Sequence, residues 1–220
     1  MSELNDNKEG WKNARTFGDI LYLYLEFLKG EYSTTATYDG KLNDDTIKDL
    51  ETIRKLNEMY FLTLDSQDGL INSTYNIFIK QYEKVIDKYT LKQRAYVDGY
   101  IHKNFIEVVT DYFDKSEDII IIMGDISDDG KTSQLRSRRI PVTLEYVGYD
   151  DDQGEVFTRV GITNHYKEQI TEWIQKYNTN KLNLSSIFED VIPITFIDMK
   201  WGRQGYLTDM IYKALKSQFK

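Results

Sequence analysis

Apolar positions recur along the chain with two periods, one near 3.6 residues and one of two, and the pattern switches between them several times. Ile20, Leu21, Leu23, Tyr24, Leu25, Phe27 and Leu28 have helical spacing; Thr16 and Asp19 form a capping box before them and Gly30 stops them. Ile47, Leu50, Ile53, Leu56 and Tyr60 predict a second helix, capped by Asn43 or Asp44. Phe61-Leu62-Thr63-Leu64 reads as a short buried strand that closes on Asp65-Ser66-Gln67-Asp68-Gly69, a turn-rich segment. Between Leu70 and Thr90 the signals conflict. Ile77, Phe78 and Ile79 favour a strand, whereas Tyr82, Val85, Ile86 and Tyr89 have helical spacing, so the expectation is a strand or loop followed by a helix.

From Lys92 to Val109 a strand runs straight into a helix. Arg94, Tyr96, Asp98 and Tyr100 alternate with Ala95, Val97, Gly99 and Ile101, giving one face of small apolar groups and one of a guanidinium, a carboxylate and two phenols. Phe105, Val108, Val109, Tyr112 and Phe113 continue as an amphipathic helix. The β-branched run Ile119 to Met123 predicts a central strand buried on both faces. A polar loop over 124–139 follows, then strands at Val142 to Tyr149 and Glu155 to Ile162 joined as a hairpin through Asp150 to Gly154. Tyr166, Ile170, Trp173, Ile174 and Tyr177 predict a helix after Asn164. A strand from Ile192 to Met199, a turn from Lys200 to Gly205 and a helix carrying Leu207, Met210, Ile211, Ala214 and Leu215 end the chain. The class expected is α+β: a flexible arm over residues 1–10, then a single domain over 11–220 with a mixed central sheet flanked by helices.

Composition narrows the chemistry. The 220 residues contain no cysteine and two histidines, which removes thiolate catalysis, disulfides and Cys- or multi-His-ligated metal sites; no cofactor or metal is expected. A net charge of −8 argues against general nucleic-acid binding. The first residues are acidic and polar, unlike a secretory signal, and no apolar run reaches the ~20 residues of a membrane span. A soluble, cytoplasmic protein is expected, in which the sequon Asn72-Ser73-Thr74 carries no glycan.

Motifs with a sharper meaning fail on their details. Gly124 to Thr132 resembles a phosphate loop, but five residues separate Gly124 from Gly130 where four are needed, and Asp125, Asp128 and Asp129 would repel phosphate. Asp150 to Glu155 has the composition of a calcium loop without its ligand spacing. His165 has no nucleophile tied to it by spacing and reads as a helix-start residue. The 17 tyrosines could stack on bases, yet most have aliphatic neighbours at regular spacing and read as core.

Three polar sets lie on or at the ends of predicted strands: Thr63, Asp65, Ser66 and Gln67; Gln93, Arg94, Tyr96 and Asp98; Asp198, Trp201 and Arg203. Ligand sites in sheet-based folds gather at strand ends. The segments Trp11-x-x-Ala14-Arg15-Thr16, Leu56-Asn57, Thr63-x-x-Ser66-Gln67, Gln93-Arg94-Ala95-x-Val97-x-Gly99 and Asp198-x-x-Trp201-Gly202-Arg203 together resemble an uncharacterised domain family of actinobacterial proteins with relatives in large DNA viruses. Two positions depart from that pattern: Tyr60 stands in place of a glycine, and Asp68 in place of a proline. The resemblance implies that the three sets belong together and implies no chemistry. The amino-acid usage suits an AT-rich genome, as a virus-encoded protein would have.

Two classes of function follow. In the first, the chain binds a small anionic, nucleotide-like ligand, as a binding protein or an enzyme. Arg94 and Arg203 hold the anion, Asp65 or Asp198 performs acid–base work, Thr63, Ser66, Gln67 and Gln93 orient the ligand, and Tyr96 and Trp201 flank it. In the second, the same residues are a structural network of a non-catalytic interaction or virion-associated protein with a protein partner.

Overall fold

A computed structural model describes residues 8–40, 42, 44–79, 84–124, 141–149, 152–159, 164–177 and 184–219. Its axis is one long strand. The elements in chain order are α1 (Lys8–Asn13), α2 (Phe17–Leu28), α3 (Asp44–Lys48), α4 (Leu50–Glu58), β1 (Phe61–Gln67), β2 (Leu70–Ile79), β3 (Lys84–His102), α5 (Ile106–Phe113), β4 (Ile119–Met123), β5 (Pro141–Tyr149), β6 (Asp152–Arg159), α6 (Asn164–Tyr177), β7 (Val191–Trp201) and α7 (Tyr206–Ser217). Short 3₁₀ turns cover Lys103–Phe105 and Leu184–Phe188. The class is α+β, as the interleaved periods predict.

Three expectations change. The helix expected after residue 80 is instead the first half of β3, which pairs with β2 on one side and β5 on the other. Val85, Ile86, Tyr89 and Thr90 favour a pleated backbone, and partners along both edges outweigh their helical spacing. The sheet is antiparallel at every recorded pairing rather than mixed. The Ile119 to Met123 strand is an edge, bonded to β7 alone among the described strands, with three of its five residues only partly buried. A β-branched run marks a strand without fixing how many faces are covered.

At the N-terminus, α1 begins at Lys8, inside the expected arm, and sinks Trp11 into the core. The β5–β6 hairpin is tighter than expected, with Tyr149 paired to Asp152. The expected polar loop lies outside the described residues from 125 onward, as do 150 and 151 of the acidic turn.

β3 is shared between two four-stranded arrays. Its first half lies between β2 and β5, with β6 beyond; its second half lies between β1 and β7, with β4 beyond. Around the second half the alternation of β3 sorts two cores. Ala95, Val97 and Ile101 join Leu56 of α4, Val109 and Phe113 of α5 and Leu207, Ile211 and Leu215 of α7. Tyr100 and Leu62 join Trp11 of α1, Ile20 and Tyr24 of α2 and Ile170 and Ile174 of α6. Gly99 sets how closely β1 approaches. A Cβ there would lie 2.1 Å from the Leu62 carbonyl oxygen, so any side chain would push β1 away.

Candidate functional site

Two acidic side chains face each other on the α2 side of the sheet. In the β1–β3 ladder Asp65 is the partner of Asp98. Leu62 and Leu64 of β1 both pack on the α2 side, and a register irregularity between Thr63 and Asp65 brings the next residue to that side as well. The Tyr96 hydroxyl, on the same face of β3, donates to Asp65 Oδ2 at 2.9 Å.

Asp98 sits between β1 and β7, opposite Thr195 as well as Asp65, and is only 3% exposed. Its Oδ1 has no hydrogen-bond partner. Burial raises its pKa to about 8, against a hydrogen bond from Thr195 that lowers it, with the Asp65 charge adding to the rise. Burial also raises Asp65, opposed by its bonds to the Tyr96 hydroxyl and the Ser66 backbone. Tyr166 of α6 is pushed up to about 12 by burial and by the charges of Asp65 and Asp98. Among the described residues no ion pair reaches either carboxyl.

Asp65 also forms part of the wall of a cleft of about 80 Å³ between α2, the segment after it, α4 and β1. Its apolar lining comes from Phe27, Leu28, Leu42, Ile53 and Leu64, and its hydroxyls from Tyr24, Thr35, Thr37, Thr46, Thr63 and Ser66. Tyr24 and Thr37 share a 2.8 Å hydrogen bond between hydroxyls, and burial raises the Tyr24 phenol. Thr35 Oγ1 accepts from the Tyr38 amide at 3.0 Å, shaping the loop over the cleft. Thr63 is committed to the fold: Asn57 Nδ2 donates to its hydroxyl at 2.7 Å.

The third polar set is a closed ion-pair cluster. Asp198 is fully buried and accepts from Arg203 Nε at 2.6 Å and from Arg203 Nη2, while the Lys200 amide donates to its Oδ1 at 2.8 Å. Arg203 also reaches Asp118 at 3.4 Å and lies over the Tyr206 ring at 3.9 Å. Of the two candidate acid–base groups, Asp198 is bonded on both oxygens and Asp65 borders a cleft.

Backbone bonds tie the three sets together, but their side chains face different places. Gln93 Nε2 donates to the Asp68 carbonyl at 2.7 Å, and the Gln93 carbonyl accepts from the Gly202 amide at 3.0 Å. Asp68 Oδ1 accepts from the amides of Gly69 at 3.0 Å and Gly205 at 2.7 Å. Ser66 and Gln67 border a void of about 10 Å³ with Asp49, Asp68 and Thr208, a space with no arginine in its lining. Arg94 donates from Nε to the Met199 carbonyl at 3.1 Å and stacks on Trp201 at 4.3 Å.

The chain matches the model of a domain of unknown function, DUF6919, over residues 6–218. It belongs to that family. The resemblance read from the sequence to an uncharacterised domain family is therefore upheld, and DUF6919 carries no activity to transfer. No curated protein matches the chain. Within this DUF6919 domain, Asp68 caps two glycine amides. Tyr60 takes the left-handed conformation at φ 61°, where glycine is the favoured residue.

Sequence reading did not single out Asn57, Asp68, Asp118, Tyr166 or the cleft hydroxyls of Tyr24, Thr35, Thr37 and Thr46 as site residues. The cleft segment has no periodicity to read. Among the described residues no group of three His, Asp or Glu side chains is placed to hold a metal, and no helix is long and apolar enough to cross a membrane.

Proposed function

We propose that this domain is a small-ligand protein whose ligand enters the cleft beside Asp65, with Asp65 as its polar anchor and, in an enzymatic role, its acid–base group. The observation that carries the reading is a carboxyl of raised pKa on the wall of a cleft, with no cation among the described residues paired to it. Thr37 and Ser66 supply hydroxyls for orientation, and Asp98 backs Asp65 from the sheet. On this reading the protein works in the cytoplasm, of an infected cell for a virus-encoded chain, and does not bind nucleic acid in general.

The anionic, nucleotide-like ligand expected from two arginines has less support. Asp198 and Asp118 engage Arg203, leaving the Arg94–Trp201 stack as the platform for such a group, with Gln93 turned to Asp68. The non-catalytic interaction reading is favoured by one observation, the bonding of Asp68, Gln93, Asp198 and Arg203 within the fold.

Thermal-shift screening against sugars, amines, nucleotides and sugar phosphates separates these readings, because a ligand at 100 times its Kd stabilises by about 2.7 kcal/mol. A shift lost in Asp65→Asn supports the cleft. One lost in Arg94→Ala returns the function to an anion, and silence across the panel leaves the interaction reading.

A further inference from the structure

The carboxyl pair also bears on the chemical class of the ligand. Asp98 is nine-tenths and more buried, faces Asp65 across the β1–β3 ladder and has an unpartnered Oδ1. Around Asp65 the surrounding elements contribute Tyr96 and Asp98 from β3, Tyr166 from α6 and Tyr24 from α2, and Tyr38 closes the cleft from the loop. All of these are acidic or phenolic. A buried carboxylate is normally paired with a cation. At the other acidic cluster of this sheet, arginine supplies it.

We infer that the cation lacking among the described residues is the ligand itself: the Asp65 cleft takes a small primary ammonium compound, its charged end on Asp65 and its carbon end against the apolar lining. This rests on the cleft being the ligand site. Phe27 and Tyr38, whose rings lie 5.5 Å apart, offer aromatic surface for a cationic group and its methylenes. The cleft's 80 Å³ limits the buried part to a short chain. Nucleotides and sugar phosphates would bring a second anion against two carboxyls, which disfavours them.

Binding has a defined proton balance. With Asp65 protonated in the free protein, the ammonium keeps its protons and the carboxyl releases one to solvent, so an N–H···O bond to carboxylate replaces the O–H bond. Affinity should therefore fall by about tenfold per pH unit below the Asp65 pKa and level off above it. Because burial raises that pKa, the fall begins above the ordinary carboxylate value of about 4.

The test is calorimetric titration of the full chain with n-butylammonium, n-butanol and n-butyrate, followed by the amine titration repeated from pH 4.5 to 8. The amine should bind and the other two should not; Asp65→Asn should weaken it by about thirtyfold or more. Should that variant fail to fold, the wild-type selectivity decides, and n-butanol or n-butyrate bound as tightly as the amine overturns the inference. Equal binding of butanol or butyrate that needs Asp65 also overturns it while leaving the cleft as the site. If no probe binds in an Asp65-dependent way and the thermal-shift panel is silent too, both readings fall.

Discussion

The sheet buries two aspartate clusters on neighbouring strands, and it treats them in opposite ways. Asp198 on β7 is enclosed by Arg203 and the Lys200 amide, and Arg203 is itself covered by Tyr206 and tied to Asp118. Asp98 on β3 has Thr195 on one side and a second carboxyl on the other, with one oxygen unbonded. Residue type and depth are alike; the partner differs. A buried charge held by a guanidinium explains itself as structure, whereas a buried acid pair costs stability that the fold does not recover within itself.

The comparison can be broken most forcefully at Asp198. Asp198→Ala leaves Arg203 facing a buried gap and should destabilise by about 3–5 kcal/mol in chemical denaturation. A loss below about 1 kcal/mol would mean that the ion pair is dispensable. Asp98→Asn should act in the other direction. Its folded pKa of about 8 lies above the ordinary value near 4, so the contribution of Asp98 to wild-type stability is greatest below pH 4 and declines as pH rises to about 8. The asparagine variant lacks that decline, so its stability advantage in chemical denaturation should widen from pH 5 to pH 8 and then stay constant, reaching about 1–3 kcal/mol. A variant less stable than wild type at pH 8 would show that the carboxylate is satisfied after all.

Tyr60→Gly touches neither cluster and calibrates both. Removing a side chain from a left-handed position at the end of α4 should stabilise by up to about 1 kcal/mol, at every pH. The Tyr60 ring is 52% exposed and lies edge-on to His102 at 6.4 Å, so little packing is lost. A pH-dependent gain here would remove the distinction drawn for Asp98.

Much of the fold was legible because its signals are local. The Thr16 capping box stands as predicted, with the Asp19 amide donating to Thr16 Oγ1 at 3.1 Å, and the two faces of β3 separate as their alternation requires. What failed were long-range facts: which strand lies at an edge, and whether residues 84–92 find partners on both sides. The site divided along the same line. Asp65, Tyr96 and Asp98 could be placed near one another from strand pattern, but the second tie of Arg203 is to Asp118, 85 residues earlier in the chain. The cleft depends on loop hydroxyls whose spacing carries no period.

The length of β3 has a consequence for synthesis. Its partner β1 precedes it closely, but β7, which covers the other edge of residues 94–102, begins at Val191, about 90 residues after that half of β3 is made. A nascent chain therefore carries an open strand edge beside Asp98 until β7 leaves the ribosome, and only then can Thr195 reach that carboxyl. Contacts so distant in sequence slow folding and expose the edge to other chains in the meantime. A ribosome stalled before Val191 would release a product with half of its central strand unpaired on one side.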